Sequence, residues 1–431
     1  MPNSVATALS ADLVRQRPAR SMRLTPARAA AARTVSAAPA LSGAIATSEA
    51  EVTALRSEWD ALAARTTDAT MAQGFAWCWA GWQTTAKPRG RTLAVLVVRD
   101  AGQLVLVWPM ARVWRELCAE LIPLGSEATD YNPLLVAPTQ RAGAYVRTAL
   151  ALLRREGRAG LVAMPLLRSD SPASPALSAM APAVLAAETL PAPFLDISSP
   201  ARIAAYEQAM SKNLRRGTER RRRRLAELGT LRFEVITDPT QFAELLDWTI
   251  AAKAVWLREH HLQSEFLHAP HYRAFWLAAL RAGGPGGQVC GIALRHDDRT
   301  IAAKVVVLTA NRLEGFLTTF DADFARFSPG QILLLDTFRW CADKGLSYDF
   351  RIGDEAFKWD WTQTSVGVTN FVLPLSRAGW LLHRMRLVRA ALCRAKDRLR
   401  ATVPTSLRQR IKGWLQQGAG EAPAEADAAP N

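Results

Sequence analysis

The sequence predicts an α/β (α+β) protein of two similar domains, each a mixed and mostly antiparallel sheet flanked by helices, followed by an amphipathic helical extension. Helix and strand patterns alternate along residues 41–375 instead of separating into blocks. Three strands joined by tight turns, one helix and one further strand recur in both halves, roughly 200 residues apart. The 431 residues are 49% apolar and 22% charged, which suits a globular protein with more than one core.

Residues 1–40 are predicted to be a disordered basic arm. They hold six arginines and one acidic residue. They lack the apolar run of about 7–15 residues that a secretory signal needs. A transit peptide is the alternative for this composition.

The first predicted domain covers residues 41–200. Runs rich in Val and Leu flank the turn Asp100-Ala101-Gly102 and predict a hairpin, while Ser and Pro density predicts a loop over 169–182. In chain order the predicted elements are helices 49–64 and 76–85, strands 92–98, 104–113 and 117–124, helix 140–155 and strand 161–166.

The second predicted domain covers residues 201–375. Pro329 stands at the first position of one predicted helix, where its missing N–H costs nothing. In chain order the predicted elements are helix 213–228, strand 233–236, helices 239–259 and 270–281, strands 288–295, 301–309 and 314–320, helix 329–344 and strand 347–352.

Residues 376–416 are predicted to form basic amphipathic helices, and residues 417–431 a disordered acidic tail. Apolar residues recur at steps of three and four from Leu381 through Val388 and Leu392. The opposite face is cationic. Such helices can dock on their own domain, or they can bind an anionic membrane surface peripherally.

The distribution of charge and the cysteine content indicate the cellular compartment and the kinds of partner. The net charge of +15 is concentrated in residues 1–40 (+5), 201–230 (+6) and 376–416 (+10), so the remaining chain is mildly acidic. Basic segments indicate polyanionic partners: phosphates, nucleic acid or anionic lipid. Five dispersed cysteines indicate a reducing cytoplasm and are expected to serve as small core residues. No Cys or carboxylate spacing near the histidines 260–271 supports a metal site.

The segment from Tyr348 to Trp361 concentrates carboxylates, a lysine and aromatic residues in one strand-to-loop turn. Buried charge is costly unless it is paired or used. Strand alternation predicts Tyr348 and Phe350 on one face of the sheet, with Asp349 and Arg351 on the other. Asp349, Asp354 and Lys358 can hold a substrate, or they can form a structural salt-bridge cluster.

An ordered set of short motifs spans residues 50–370. In the first half its positions are Trp59, Trp82, residues 98–100, residues 108–110 and Asp130-Tyr131. In the second half they are residues 211–215, 301–303 and 328–330, Leu333, Gly345, Asp349-Phe350, Gly353-Asp354 and Phe357-Lys358. This ordered set resembles the CelD-like acyltransferases of the GNAT superfamily, which are relatives of the Fem-type transferases.

The resemblance implies a degenerate GNAT-like first domain and a second domain that transfers an acyl group from acetyl-CoA or another acyl-CoA, without a metal. The strands at 314–320 and 347–352 would then diverge around the acyl donor. Of the superfamily's phosphate motif, this chain keeps Arg326, Gly330 and Gln331 with altered spacing, beside Ser328. A helix N-terminus suits phosphate because its N–H groups and dipole favour an anion.

Acyl transfer to an amine needs a base, since an ammonium cannot attack a thioester. Asp349 or Asp354 is the predicted base, Tyr348 the predicted acid for the departing thiolate, and Lys358 completes the predicted catalytic set. No Ser/Cys–His pairing is evident, which favours direct transfer.

The predicted substrate-binding residues come from both halves. They are Arg215, Arg216, Arg221, Asp130, Tyr131 and Trp361. Arg221 falls on the apolar stripe of its helix, so an anionic partner is expected: Asp349, Asp354 or a bound phosphate. Most of the other arginines of 220–224 are expected to be solvated.

The predicted function is therefore a cytoplasmic N-acyltransferase, peripheral to the inner membrane face if 376–416 binds lipid. Its acceptor would be an amino sugar, a polysaccharide or an envelope precursor. Two alternatives stay open at this stage. One is a Fem-like transferase that uses aminoacyl-tRNA, and the other is a non-catalytic polyanion-binding protein.

Overall fold

A computed structural model describes residues 41–126, 131–156, 158–180, 184–262, 264, 267, 269–284, 287–353 and 355–402. Within these residues thirteen strands join in one sheet. The strands are β1 Leu41–Ala46, β2 Thr92–Asp100, β3 Gln103–Trp114, β4 Ala119–Pro123, β5 Leu135–Val136, β6 Leu161–Arg168, β7 Leu185–Leu195, β8 Leu231–Ile236, β9 Gln288–His296, β10 Arg299–Leu308, β11 Arg312–Phe320, β12 Ser347–Asp349 and β13 Ser365–Pro374.

Helices cover both faces of this sheet. In chain order they are α1 Glu49–Ala54, α2 Arg56–Arg65, α3 Phe75–Gly81, α4 Ala142–Glu156, α5 Ser174–Ser178, α6 Pro200–Ala209, α7 Lys212–Ala226, α8 Pro239–Glu259, α9 Tyr272–Ala282, α10 Pro329–Asp343, α11 Ala356–Trp361 and α12 Arg377–Thr402. A short 3-10 helix, Met71–Gln73, precedes α3, and another, Ala322–Phe327, precedes α10.

The sheet consists of two halves with the same strand order. The order is β1-β2-β3-β4-β6-β13 in the first half and β8-β9-β10-β11-β12-β7 in the second, and β13 pairs with β7 to join them. In each half the fourth and fifth strands are parallel and the remaining neighbours are antiparallel. This repeated, mixed and mostly antiparallel arrangement with flanking helices confirms the predicted fold class.

The two strands at the join were absent from the sequence prediction. β7 contains Pro191 and Pro193, and proline in a run of residues argues against a central strand because it removes a ladder donor. β13 follows the second predicted domain's last strand, yet it pairs with β6 of the first half. The last strand of each half of the sheet therefore pairs with the last strand of the other half. The domain boundaries at 200 and 375 remain a prediction.

Three large apolar clusters pack against the sheet. One lies in the first half, under α2 and α4. A second lies between the second half of the sheet and α10, and it contains Phe338, Tyr348, Phe350 and Trp361. The third lies on the opposite face under α8 and α9. The β11–β12 pair therefore has packed side chains on both faces.

Two expectations about individual side chains need correction. Four cysteines are buried as expected, but Cys393 is exposed on α12. The predicted apolar face of α12 does not dock on the body, since Leu381, Val388 and Leu392 are exposed. Leu382, one position along, is the residue that packs against the sheet. Among the described residues, no helix is long and apolar enough to cross a membrane.

Candidate active site

The site begins where β11 and β12 separate. The two strands are parallel and pair at only three positions, Arg312 with Ser347, Leu313 with Tyr348, and Glu314 with Asp349. On its other side β11 carries a bulge, because Val305 faces Leu317 while Val306 faces Gly315. Bulges bend a strand and are frequent beside functional sites. The prediction that these two strands diverge agrees with this register.

Helix α10 starts next to this opening. Ser328 has a left-handed backbone (φ +47) and leads into Pro329 in the first turn. A side chain added at Gly330 would meet nothing closer than the Phe320 ring at 3.7 Å, so the helix start is approachable. Gln331 Oε1 accepts a hydrogen bond from Arg221 Nη2 at 2.5 Å. Arg326 is exposed, with its guanidinium 4.7 Å from the ring of its neighbour Phe327.

Arg221 opens onto a groove of about 760 Å³ between α7 and α10. Six arginines line it, together with Glu207 and Glu219, and they are Arg215, Arg216, Arg220, Arg221, Arg223 and Arg339. Arg339 neutralises both carboxylates, at 2.7 Å from Glu207 and 2.8 Å from Glu219. The three predicted arginines thus share one groove. Among the described residues Arg221 pairs with Gln331 and not with Asp349, one of its three expected partners. Asp354 lies outside the described residues, and a bound phosphate stays a prediction.

Tyr348 points toward α10, as strand alternation predicts, and its hydroxyl pairs with Lys304 Nζ at 2.6 Å. Both side chains are buried, and Tyr348 packs against Phe338 and Phe350. Burial raises the pKa of Tyr348 and lowers the pKa of Lys304 to about 7. A Cβ added at Gly315 would stand 2.6 Å from the Tyr348 hydroxyl, so that hydroxyl abuts β11 where the strands part.

Asp349 points to the opposite face, where it is fully buried in a polar cluster. Its Oδ1 accepts from the Tyr131 hydroxyl at 2.8 Å and from the backbone N–H of Arg351 at 2.7 Å. Its Oδ2 accepts from Arg168 at 2.7 Å and from Arg312 at 3.4 Å. Tyr131 and Asp349, predicted separately from the two halves, are therefore in direct contact. Asp130 lies outside the described residues.

Arg351 contributes through an unusual backbone. Its φ of +64 lies in the left-handed region that non-glycine residues rarely adopt. This conformation turns its N–H onto Asp349 and sets its guanidinium 3.4 Å from the centre of the Phe316 ring, at the bulge of β11. Backbone strain of this kind tends to collect at functional sites.

Glu314 is the neighbour of Asp349 across the β11–β12 ladder, and the sequence analysis missed it. Its Oε1 accepts from the backbone N–H of Met71 at 2.7 Å, whereas its buried Oε2 has no hydrogen-bond partner among the described residues. Burial raises the pKa of Glu314, and the nearby charge of Asp349 raises it further. A glutamate inside an otherwise apolar strand, directly before Gly315, was the sequence signal.

A cavity of about 110 Å³ lies beside this cluster, on the first-half side. Tyr131 and Arg168 form part of its wall while also holding Asp349. Asp170, which chelates Arg168 through two hydrogen bonds, and the exposed Asp68 add carboxylates to the lining. Arg168 and Arg312 were also missed from the sequence. Arg168 reaches Asp349 from a strand of the other half, and Arg312 reaches it through the pairing of β11 with β12.

Two further predicted residues lie apart from the cavity. Lys358 donates to the Ile352 carbonyl at 2.7 Å and pairs with Glu355 at 2.8 Å, which closes the loop around Gly353. Trp361 is buried against Phe338 under α10, and its carbonyl accepts from Tyr206. Asp354 lies outside the described residues. No group of three potential metal ligands occurs in the described part of the chain.

Comparisons with solved structures found distant matches. The C-terminal domain of a putative lysylphosphatidylglycerol synthetase from Agrobacterium fabrum is 14% identical, with 79% of this chain and 97% of that chain covered and a TM-score of 0.48. FemX is 11% identical, with 74% and 94% covered and a TM-score of 0.48. A tandem GNAT protein from the clavulanic acid pathway is 14% identical, with 77% and 98% covered and a TM-score of 0.41.

The comparison with curated proteins found no match. A family model gave a more local result. It covers about a third of the chain, spanning α7 to α11, and so includes the β11–β12 opening, the start of α10 and the Lys304–Tyr348 pair. Residues 212–359 match the model described as an acetyltransferase (GNAT) domain.

Proposed function

We propose that this protein transfers an acetyl or other acyl group directly from acyl-CoA to an amine or hydroxyl acceptor in polysaccharide or envelope-precursor synthesis, as the resemblance to CelD-like enzymes implies. The observation that carries the proposal is the opening itself. β11 and β12 separate after three paired positions, immediately beside the start of α10 at Pro329. An extended thioester can add along the freed strand edges while its phosphates meet the helix N-terminus.

The phosphates of the donor would lie between the start of α10 and the arginine groove. Arg221 and Gln331 already meet there. The arginines of the groove add positive charge to the dipole of α10. Arg221→Gln should therefore weaken acetyl-CoA binding, whereas Arg224→Gln, an exposed arginine of α7 outside the groove, should not.

The two proton transfers would take place on opposite faces of the opening. The Tyr348 hydroxyl lies on the α10 face, where the thiolate departs, and it can give that sulfur its proton. Lys304, hydrogen-bonded to the same oxygen, can return a proton to Tyr348. In this way the amine forms its bond to the acyl carbon, the C–S bond breaks, and the sulfur leaves as a thiol.

Glu314 is the base that we propose on the opposite face. Its raised pKa and its buried Oε2, which has no hydrogen-bond partner among the described residues, suit a proton acceptor. Asp349 accepts from four donors and is better suited to hold Tyr131 and Arg168 in place beside the cavity. An acceptor in that cavity would meet Asp68 and Asp170, which attract an ammonium group.

The arginine groove also favours a second candidate, transfer from aminoacyl-tRNA, because a row of arginines suits a polynucleotide backbone. Calorimetric titration of the purified protein with acetyl-CoA and with tRNA, at low and moderate salt, separates the two. Saturable acetyl-CoA binding that survives salt supports the acyl-CoA enzyme and justifies a screen of amino-sugar acceptors. Tight, salt-sensitive tRNA binding without acetyl-CoA binding supports the second candidate. Binding of neither ligand contradicts both.

A further inference from the structure

Within its described side chains, up to Cys393, helix α12 contacts the body through residues 378–389. Leu382 is buried against the sheet beside Cys118 and Leu161. Arg386 forms a two-pronged ion pair with the buried Glu120, at 2.6 and 2.8 Å, and Arg389 pairs with Glu116 at 3.3 Å. From Leu387 to Cys393 every side chain is exposed. The helix therefore projects along the surface of the first half with one long face uncovered.

The uncovered face is apolar. Five large side chains are between 46% and 64% exposed, and they are Trp380, Leu381, Leu387, Val388 and Leu392. Steps of seven and four residues place them on one side of a helix. A second apolar element stands beside α12, because Trp114 is 78% exposed at the end of β3, two residues before the Glu116 that pairs with Arg389.

Positive charge is interleaved with this apolar face. Arg384 is exposed one turn after Trp380, with its guanidinium 4.4 Å from the indole ring. Residues 377–393 contain four arginines and no carboxylate. The nearest carboxylates of the body, Glu116 and Glu120, are already paired with Arg389 and Arg386.

We infer that the exposed face of α12, with Trp114 beside it, is a docking surface for an anionic lipid bilayer. A helix with large apolar side chains on one face and arginines among them lies in the headgroup region with its apolar side about 5–10 Å deep. Anionic headgroups then neutralise arginines that have no carboxylate partner of their own, and tryptophan favours the boundary between water and hydrocarbon. A second protein chain would have to bury Arg384 inside the interface, which costs more than leaving it among headgroups.

Vesicle sedimentation of the full chain tests this inference independently of the proposed acyl transfer. The probes are vesicles of phosphatidylcholine alone and of phosphatidylcholine mixed with phosphatidylglycerol. We expect sedimentation with the anionic vesicles that weakens as salt is added. The double variant Leu387→Gln/Val388→Gln should reduce the partition coefficient by at least about tenfold, because two inserted apolar side chains are lost.

The matched control is Ala390→Gln, which adds the same amide to an exposed position of α12 outside the apolar face. It should sediment like the parent protein. Circular dichroism identical to that of the parent shows that the double variant folds. The inference is overturned if the parent ignores anionic vesicles or if the double variant binds them equally well. It is also overturned if light scattering shows that the parent is a dimer and the double variant a monomer, because the apolar face would then bind a second copy of the chain.

Discussion

Glu314 and Asp349 occupy paired positions on β11 and β12 but have different surroundings. Asp349 is ion-paired with Arg168 and Arg312, and its two oxygens accept four hydrogen bonds. Glu314 accepts one hydrogen bond and has no charge-paired oxygen. Burial and the nearby charge of Asp349 raise the pKa of Glu314, which makes Glu314 the better proton acceptor of the two.

We expect Glu314→Gln to abolish acyl transfer while leaving acetyl-CoA affinity unchanged, because the amide keeps the hydrogen bond to Met71 but cannot take a proton. Burial raises the pKa of Glu314, and the rate depends on the deprotonated carboxylate. The rate of the parent enzyme should therefore rise with pH, and the midpoint of this rise should lie above the ordinary glutamate range. Turnover and calorimetry across pH measure both effects.

Glu234→Gln is the matched control, because Glu234 lies on the edge strand β8 and pairs with Arg295 on the neighbouring β9, away from the opening. It should leave the rate and its pH profile unchanged. A Glu314→Gln enzyme that retains most of its turnover would assign the base elsewhere.

Lys304 should make folding stability depend on pH. Its pKa is about 7 when folded, against about 10.4 for an ordinary lysine. Between those values the unfolded chain holds a proton that the folded chain has released, so this group makes stability increase with pH. Relative to Lys304→Met, the parent should gain about 2 kcal/mol in free energy of unfolding from about pH 7 to about pH 9.

Urea unfolding at both pH values measures this difference. Lys344→Met removes an exposed lysine at the end of α10. Its free energy of unfolding should change between the two pH values by the same amount as that of the parent. If the free energy of unfolding of Lys304→Met also changed with pH by the same amount as that of the parent, Lys304 would stay charged in the folded protein.

At the scale of elements, the start of α10 and the separation of β11 from β12 form one unit. The sequence predicted α10 to begin at Pro329 and β11 to end at Phe320, and both bounds hold. It also predicted that Tyr348 and Asp349 point to opposite faces, because side chains alternate along any strand. The bulge at β11 and the closeness of Tyr348 to Gly315 depend on the neighbouring strands, so sequence periodicity carries no sign of them.

Gly315→Ala should cost about 2 kcal/mol of stability, because its methyl group would overlap the Tyr348 hydroxyl. In a Tyr348→Phe background the same change should cost about 1 kcal/mol less, since the closest atom is gone. Denaturant unfolding of the four proteins gives this coupling. Gly330→Ala, whose methyl group would meet nothing within 3.7 Å, should change stability little. A cost for Gly315→Ala that is the same in both backgrounds would mean that the strand backbone, and not Tyr348, resists the methyl group.

At the scale of the whole molecule, the two halves are one structure. β13 completes the first half and β7 the second, and the two strands pair with each other. Trp77 of α3 stacks edge-on against Phe275 and Trp276 of α9, at 4.6 and 5.4 Å between ring centres. Asp349 is held by residues of both halves. Separate unfolding of either half would expose all of these contacts at once.

Equilibrium unfolding should therefore show a single transition, with circular dichroism and tryptophan fluorescence superimposed. Leu373→Ala on β13, buried in the first-half core, should shift that whole transition by about 3 kcal/mol. Leu392→Ala, on the exposed face of α12, is the control and should leave it in place. Two separate transitions, of which Leu373→Ala moves only one, would contradict the single unit.

The sequence by itself determined the fold class and most of the elements, but not the strands β7 and β13 at the join. Hydrophobic periodicity and turn residues are local signals, and they predict an element only where its own residues carry the pattern. It also predicted Tyr131, Asp349, Tyr348 and arginines of α7 as site residues. Only the tertiary structure decided which residues meet. The exchange of β7 and β13 brings Tyr131 and Arg168 onto Asp349, and pairing of β11 with β12 sets Glu314 beside it. The contacts of Asp349 with Tyr131 and Arg168 join residues about 180 to 220 positions apart in the chain, and side chains so distant carry no spacing pattern that local periodicity can reveal.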